Sequence, residues 1–433
     1  MPTEEASGPY PARRIFVLSS LALFAAGLSF SLRMGIIASI QQEILLPFSP
    51  EHAGELAGNL LGTAFSGFAL TLLAGSVFLD RIGMGRMLVL CGVCFTTGTG
   101  LAIAAPLWGT PESVYTVLQL GFGLSGLGWG FMEAAVNPLT AALYPEDRIN
   151  RLNILHAWWP AGLMVGGVSV LGLEALGVGW QGQFAIVIVP SVVSALLCLG
   201  TPFPRTERAA AGMAWGEMFD ELLRRPMFLV WWVCMFLTAA AELAPGQWID
   251  LTLTRTIGMR GIWLLIYVSG MMFVLRHFAG PIAHRIAPVG MLWGSSAVAT
   301  LGLLLLAAAD SPVSGVLAAT VWGLGVCFLW PTMLANVADR YPRGGELFIG
   351  LLGFAGALSI QFVLPALGRV FDAARLEAAG GPAALAALHG EPLEAVLRTA
   401  SVRSFETLAW FPAALIVIFG CIWLSDRQRP ASS

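Results

Sequence analysis

Three ionisable residues lie deep inside apolar runs of this chain and are the first candidates for chemistry: Arg33, Glu133 and Glu242. A charged side chain at mid-bilayer costs about 2.5–3.5 kcal/mol on insertion scales, so one retained there usually faces a partner or a cavity. Glu133 sits about ten residues from the end of its run, ~15 Å along a helix and close to the middle of a ~30 Å hydrocarbon core. Burial favours the neutral form of a carboxyl, which makes Glu133 the expected proton carrier, a solute ligand, or both. A structural hydrogen bond to a neighbouring helix is the alternative. Arg33 lies about 18 residues, or ~27 Å, into the first run. It is read as a gate cation or the ligand of an anionic solute, against snorkelling toward headgroups. Glu242 lies about 15 residues, or ~23 Å, into the seventh run, at a height similar to Arg33.

Softer groups surround these three. Pro245-Gly246 breaks the run after Glu242, and a break inside a membrane helix needs its backbone groups satisfied again, usually at a cavity. Gln247 beside it can bond hydroxyls, and Trp248 offers an apolar face. Trp158, Trp159 and Trp330 also fall within spans and could stack on a solute, although membrane Trp is often an interface anchor. His156 is read as a proton relay or a fixed hydrogen bond. Asn137, Asn336 and Gln361 are read as buried amides, as often helix–helix bonds as ligands. Cys91-Gly-Val-Cys94 has a metal-like spacing but no second ligand pair, so no metal or other cofactor is expected. No nucleophile–base set emerges, so an enzyme is not expected. No G-x-x-x-x-G-K-[ST] loop appears, so ATP is not the direct energy source.

The elements that position these residues follow from composition. Of 433 residues, 57% are hydrophobic and only 11% charged, with mean hydropathy +0.77. Soluble domains are typically about one quarter charged. All 23 basic residues are Arg, and a net charge of −3 gives no sign of nucleic-acid binding. Apolar stretches of about 20 residues, enough to cross a bilayer as helix, start near Ile15, Leu56, Met87, Val114, Leu152 and Phe184. A second six start near Met227, Gly261, Gly290, Val313, Leu347 and Thr407. The reading is an all-α membrane protein of twelve spans. Residues 1–202 form one six-helix bundle, 203–226 a polar cytosolic linker and 227–433 a second bundle. The first run is too long for a cleavable signal. Arg clusters such as Arg13/Arg14, Arg81/Arg86, Arg148/Arg151 and Arg340/Arg343 fall on one side, so both termini are placed in the cytoplasm, with the chain in a cell (inner) membrane.

The halves echo one another. Gly126-Leu-Gly-Trp-Gly-Phe131 through Tyr144-Pro145 matches Gly323-Leu-Gly-Val-Cys-Phe328 through Tyr341-Pro342 at equal spacing. Arg81-Ile82 with Met87-Leu88 matches Arg285-Ile286 with Met291-Leu292. Duplicated halves with a site between them are a transporter architecture.

With these features the chain resembles the major facilitator superfamily. Gly75-Ser-Val-Phe-Leu79-Asp80-Arg81-Ile-Gly83-Met-Gly85-Arg86 is similar to its inner-loop motif, with slightly altered spacing. The resemblance implies that Gly75, Asp80, Arg81, Gly83 and Arg86 form an inner gate. Glu133-Ala-Ala-Val-Asn137-Pro138 and the following His156 resemble the fucose–proton symporter group. That group carries an acidic residue in its first span where this chain has Arg33. In this superfamily the first and seventh spans meet at an outer gate, which implies an Arg33–Glu242 pair, with Glu133 as competing partner. The expected function is secondary active transport by alternating access. The favoured solute is neutral, sugar-like and proton-coupled through Glu133, bound among Arg33, Glu133, Asn137, His156, Trp159, Glu242, Gln247, Trp248, Trp330 and Gln361. Export of hydrophobic compounds, transport of organic anions and a non-transporting sensor are the alternatives. The expected partners are solute, protons and lipid, with the chain a monomer.

Overall fold

The structure is a computed structural model that describes residues 10–49, 53–210, 212, 214 and 216–428. The side chains of residues 38, 53–55, 207–208, 247–256, 284, 386 and 428 fall outside that description. Every regular element among the described residues is helical. Among the described residues, ten helices are long and apolar enough to cross a bilayer, and Ile262–Arg276 is a shorter apolar one. Pro111–Leu143 has 33 residues, but Glu133, Asn137 and its many glycines dilute its apolar character. These make the twelve spans.

In chain order, α1 is Ala12–Ile40, α2 Ala53–Ile82, α3 Met84–Ala104, α4 Pro111–Leu143 and α5 Arg148–Ala175. The sixth span, α6, runs in two pieces, Trp180–Ala185 and Ile188–Cys198. After two short linker helices come α7 (Met227–Thr256), α8 (Ile262–Arg276, continued by Ala279–Ile286) and α9 (Pro288–Ala308). The tenth span, α10, is Pro312–Val326 continued by Leu329–Arg340. Last are α11 (Gly345–Ala379) and α12 (Glu391–Gln428). Two compact units emerge: residues 1–225 with 337–354, and residues 226–336 with 355–433.

The sequence echo has a structural meaning inside each unit. In the first, α4 packs on α2 and α3. A side chain at Gly126 would strike the Ala64 carbonyl of α2, and one at Gly128 would meet Cys91 and Cys94 of α3. In the second, Gly323 faces Val268 and Met271 of α8, while Gly325 lies against the Ala299 backbone of α9. The same Gly-Leu-Gly triplet therefore lets the fourth helix of each half approach its second and third helices. Both fourth helices also start alike. Thr110 accepts from the Ser113 N–H before Pro111, and Ser311 forms a capping box with Ser314 before Pro312.

The turn entering the third helix of each half completes the echo. Gly83 turns at φ 92°, and its repeat counterpart Ala287 at φ 61°, the single non-glycine residue with positive φ among those described. With ψ at 156°, Ala287 sits in a region that glycine alone occupies freely, at about 1–3 kcal/mol for other residues. Glycine's greater freedom in the unfolded chain offsets part of that. Ala287→Gly is expected to stabilise the protein by about 1 kcal/mol and Gly83→Ala to destabilise it similarly. Thermal unfolding of detergent-purified protein checks this; a lower melting point for Ala287→Gly would contradict it.

Candidate functional site

In the first unit, α4 and α5 bring Glu133, Asn137 and His156 together in a buried cluster. Asn137 follows Glu133 by one helical turn, and its amide Nδ2 donates to Glu133 Oε1 at 3.1 Å and to the Glu133 carbonyl at 3.0 Å. The Asn137 Oδ1 faces His156 Nε2 at 2.8 Å. Because the amide nitrogen is already committed to Glu133, the oxygen must accept, so His156 carries its proton on Nε2. His156 Nε2 also lies 4.0 Å from Glu133 Oε1. One amide thus holds an imidazole and a carboxyl at a separation a proton can cross with a small rearrangement. Pro138, just after Asn137, and Pro160 in α5 each leave a carbonyl in the preceding turn without its helical donor.

Next to this cluster lies an aromatic stack. Trp129, one turn before Glu133, is sandwiched between Phe68 at 4.0 Å and Trp159 at 5.0 Å, with near-parallel rings. Phe30 of α1 meets Trp129 at 6.0 Å and Trp159 at 5.6 Å. Trp159 and Phe30 are half-buried. The α1–α5 approach behind them is close because Gly27 faces the Trp159 carbonyl and Gly162 the Phe24 carbonyl. Trp129 and Phe30 are absent from the residues singled out in the sequence. Their signal was spacing: Trp129 is i−4 from Glu133, and Phe30 i−3 from Arg33.

The same spacing locates Arg33. Helices α1 and α5 run parallel and α4 runs against them, so Arg33 lies one turn to one side of the rings, and Glu133 and His156 one turn to the other. The two levels are about 10 Å apart along the helix axes. Arg33 is 3% exposed, and its Nη1 has no hydrogen-bond partner among the described residues.

In the second unit, Glu242 pairs with a neighbouring helix of the same unit. Its Oε1 accepts from Arg276 Nη2 of α8 at 2.7 Å. Arg276 also donates through Nε to the Cys327 carbonyl at 2.7 Å, where α10 is interrupted at residues 327–328. The Trp330 backbone N–H faces Glu242 from the start of the next helical piece. The pair therefore places a cation against the carbonyl end of one half-helix and an anion against the amide end of the next, as the helix dipole favours. Arg276 was missed in the sequence because it closes an apolar run and reads like one more interfacial Arg; at 2% exposed it is buried.

The remaining expected residues fall as follows. The Trp330 ring is buried against Gly356 of α11 and is packed, not free to stack. Gln361 is exposed, which corrects its reading as a buried amide: the buried stripe of α11 runs through Leu352, Ala355, Ser359, Ile360 and Val363, and Gln361 falls off it. Asn336 is buried. The side chains of Gln247 and Trp248 lie outside the described residues. Cys91 and Cys94 are free thiols.

The inner-loop motif is a distinct cluster in the first unit. Gly75 packs at the Cβ of Ala134, and Gly83 supplies the turn. Asp80 Oδ1 accepts from the Thr206 hydroxyl at 2.6 Å, and Thr206 caps the linker helix through the Ala209 N–H. Arg81 lies over the Phe78 ring at 5.8 Å, and Arg86 donates to the Ile82 carbonyl at 3.3 Å. With Phe203, Arg205 and Thr206, the residues Asp80, Arg81, Gly83 and Arg86 line a cleft of about 530 Å³. Nearby, Arg148 and Asp339 form an ion pair at 3.0 Å, and Gly350 lies against Ser76.

Removing one partner of a buried ion pair typically costs about 3–5 kcal/mol, whereas replacing both with apolar groups is often neutral. Arg276→Met alone and Glu242→Met alone are each expected to destabilise the protein by about that range, and the double substitution to recover most of the loss. Melting curves of the four proteins form the cycle. Additive single effects would show that the pair does not hold the break in α10.

The Major Facilitator Superfamily profile matches residues 19–363. The putative niacin/nicotinamide transporter NiaP of Bacillus subtilis (strain 168) is 25% identical over 206 residues, which is 47% of this chain and 48% of that protein. The chain thus spans about half the length of this curated relative. Among solved structures, the E. coli fucose:proton symporter FucP in its outward conformation has a TM-score of 0.68 at 18% identity, covering 92% of this chain and 98% of its own. The proton:xylose symporter XylE reaches a TM-score of 0.75 at 13% identity, covering 95% and 96%. A profile match over most of the chain, twelve spans and the fold shared with these structures make this a multi-pass membrane protein of the Major Facilitator Superfamily, a family of transporters.

Proposed function

We propose that this chain is a proton-coupled secondary transporter of a small, hydroxyl-bearing solute, working by alternating access. The observation that carries the reading is the His156–Asn137–Glu133 chain beside the Trp129–Trp159 stack. An aromatic face suits the apolar side of a sugar ring, and a carboxyl linked to an imidazole is a device for taking and releasing one proton. Trp159 and Phe30 are half-buried, so a solute bound on them would lie about one helical turn from Glu133. Binding and protonation then share one site, which is the minimum coupling requires: each changes the other's affinity by the same factor.

The comparisons favour the same class. FucP and XylE are sugar–proton symporters by description, and the Bacillus relative is described as a niacin/nicotinamide carrier. The Arg148–Asp339 pair and the Asp80–Thr206 bond tie together segments at one end of the first unit. On our reading this is the cytoplasmic face of a cell membrane, both termini lie there, and the contacts form an inner gate. The chain would act as a monomer, as residues 1–202 and 227–433 supply the two bundles and 203–226 the linker between them.

Purified protein in liposomes tests the coupling. With an inward proton gradient, wild type should accumulate labelled solute above equilibrium. Glu133→Gln should lose that accumulation yet keep solute exchange at equal concentrations, because the carrier still reorients without its proton. A Glu133→Gln protein that still concentrates solute would remove Glu133 from the proton pathway. Binding without exchange by wild type would favour a sensor.

A further inference from the structure

We infer that Arg33 is the anion-binding residue of the transport site and that the solute carries a carboxylate. The inference rests on the transporter reading above and replaces the neutral solute expected from the sequence with an acid.

The contrast between buried charges carries it. Glu242 has Arg276 at 2.7 Å, and Arg276 has the Cys327 carbonyl as well. Glu133 has Asn137 and the nearby His156. Arg148 has Asp339. Arg33 is as buried as any of these, at 3% exposed, yet no carboxylate or carbonyl among the described residues accepts from it, and its Nη1 is without a partner. Guanidinium offers five donors in a planar fork and stays charged at any physiological pH. An unpaired buried cation is among the costlier arrangements in a membrane.

Snorkelling does not relieve it. A long side chain that reaches headgroups keeps its tip in water, and Arg33 is not exposed. Nor does Glu133 neutralise it: the rings of Phe30, Trp129 and Trp159 lie between the two levels. The aromatic layer keeps Arg33 and Glu133 apart and so leaves the cation available. A solute whose ring rests on Phe30 and Trp159 would direct a carboxylate one turn along α1 to the Arg33 fork, where a bidentate, charge-assisted pair forms. Its remaining polar edge would reach toward Asn137 and Glu133. One proton taken up by Glu133 together with one monovalent acid moves no net charge.

The test uses full-length protein in detergent with charge twins as probes: nicotinate against nicotinamide, galacturonate against galactose, and gluconate against glucitol. At least one acid should raise the melting temperature of wild type while its neutral twin does not. Arg33→Gln should weaken binding of that acid about tenfold or more, and Arg33→Lys should keep part of it. Without ligand, Arg33→Gln should melt no lower than wild type, because a buried cation lacking a partner has been removed. Neutral twins binding as well as acids, no shift with any of the acids, wild-type acid affinity in Arg33→Gln, or a ligand-free Arg33→Gln protein that melts well below wild type would each overturn the assignment. Counterflow of the same solutes in liposomes separates the failures. Exchange of neutral solutes alone sinks the anion site and leaves a transporter; exchange of none sinks the transport reading itself.

Discussion

A helix in hydrocarbon satisfies its own backbone but not its ionised side chains, and this constraint organises the molecule. Each buried charge must find an opposite charge, a set of dipoles or a passing ligand. Glu242 finds Arg276, and the pair is used to hold the interruption in α10, where Cys327 and Trp330 expose a carbonyl and an amide. Glu133 finds the amide of Asn137, which in turn orients His156. The Arg33 Nη1 finds no hydrogen-bond partner among the described residues. The three solutions differ in consequence. On our proposal, the first is structural, the second exchanges a proton and the third binds the counter-charge of a solute.

The rest of the architecture makes these arrangements affordable. Lipid gives helices no hydrophobic reason to pack on one another, so close contact comes from small residues. Gly126 and Gly128 in α4, and Gly323 and Gly325 in α10, bring each fourth helix onto two neighbours. Gly27 and Gly162 do the same for α1 and α5. Close backbones then fix where Phe30, Trp129 and Trp159 meet, and the ring layer sets the distance between Arg33 and Glu133. The position of the rings thus depends on glycines that allow the backbones to approach closely.

Much of this was legible in the sequence because it depends on local pattern. Twelve apolar runs, the Gly-Leu-Gly echo, the turn at Gly83 and the mid-span placement of Arg33, Glu133 and Glu242 follow from counting along the chain. What was not legible depends on which helix faces which. Arg276 closes an apolar run and looks like an anchor until α8 is placed beside Glu242. Trp129 looks like any membrane tryptophan until Phe68 and Trp159 are seen on its two faces. Gln361 reads as buried on composition alone, and only the stripe through Ala355 and Ser359 shows that it lies off the packed face. Arg148 and Asp339 are 191 positions apart, beyond any local signal.

The central claim is that Glu133 is a proton site in contact with water rather than a sealed structural hydrogen bond. Infrared difference spectroscopy of the purified protein across a pH titration tests it directly. The account predicts a protonated-carboxyl carbonyl band that rises reversibly as bulk pH falls, shifts in heavy water and is missing in Glu133→Gln. A spectrum in which no band titrates, or in which the titrating band survives that substitution, would contradict it.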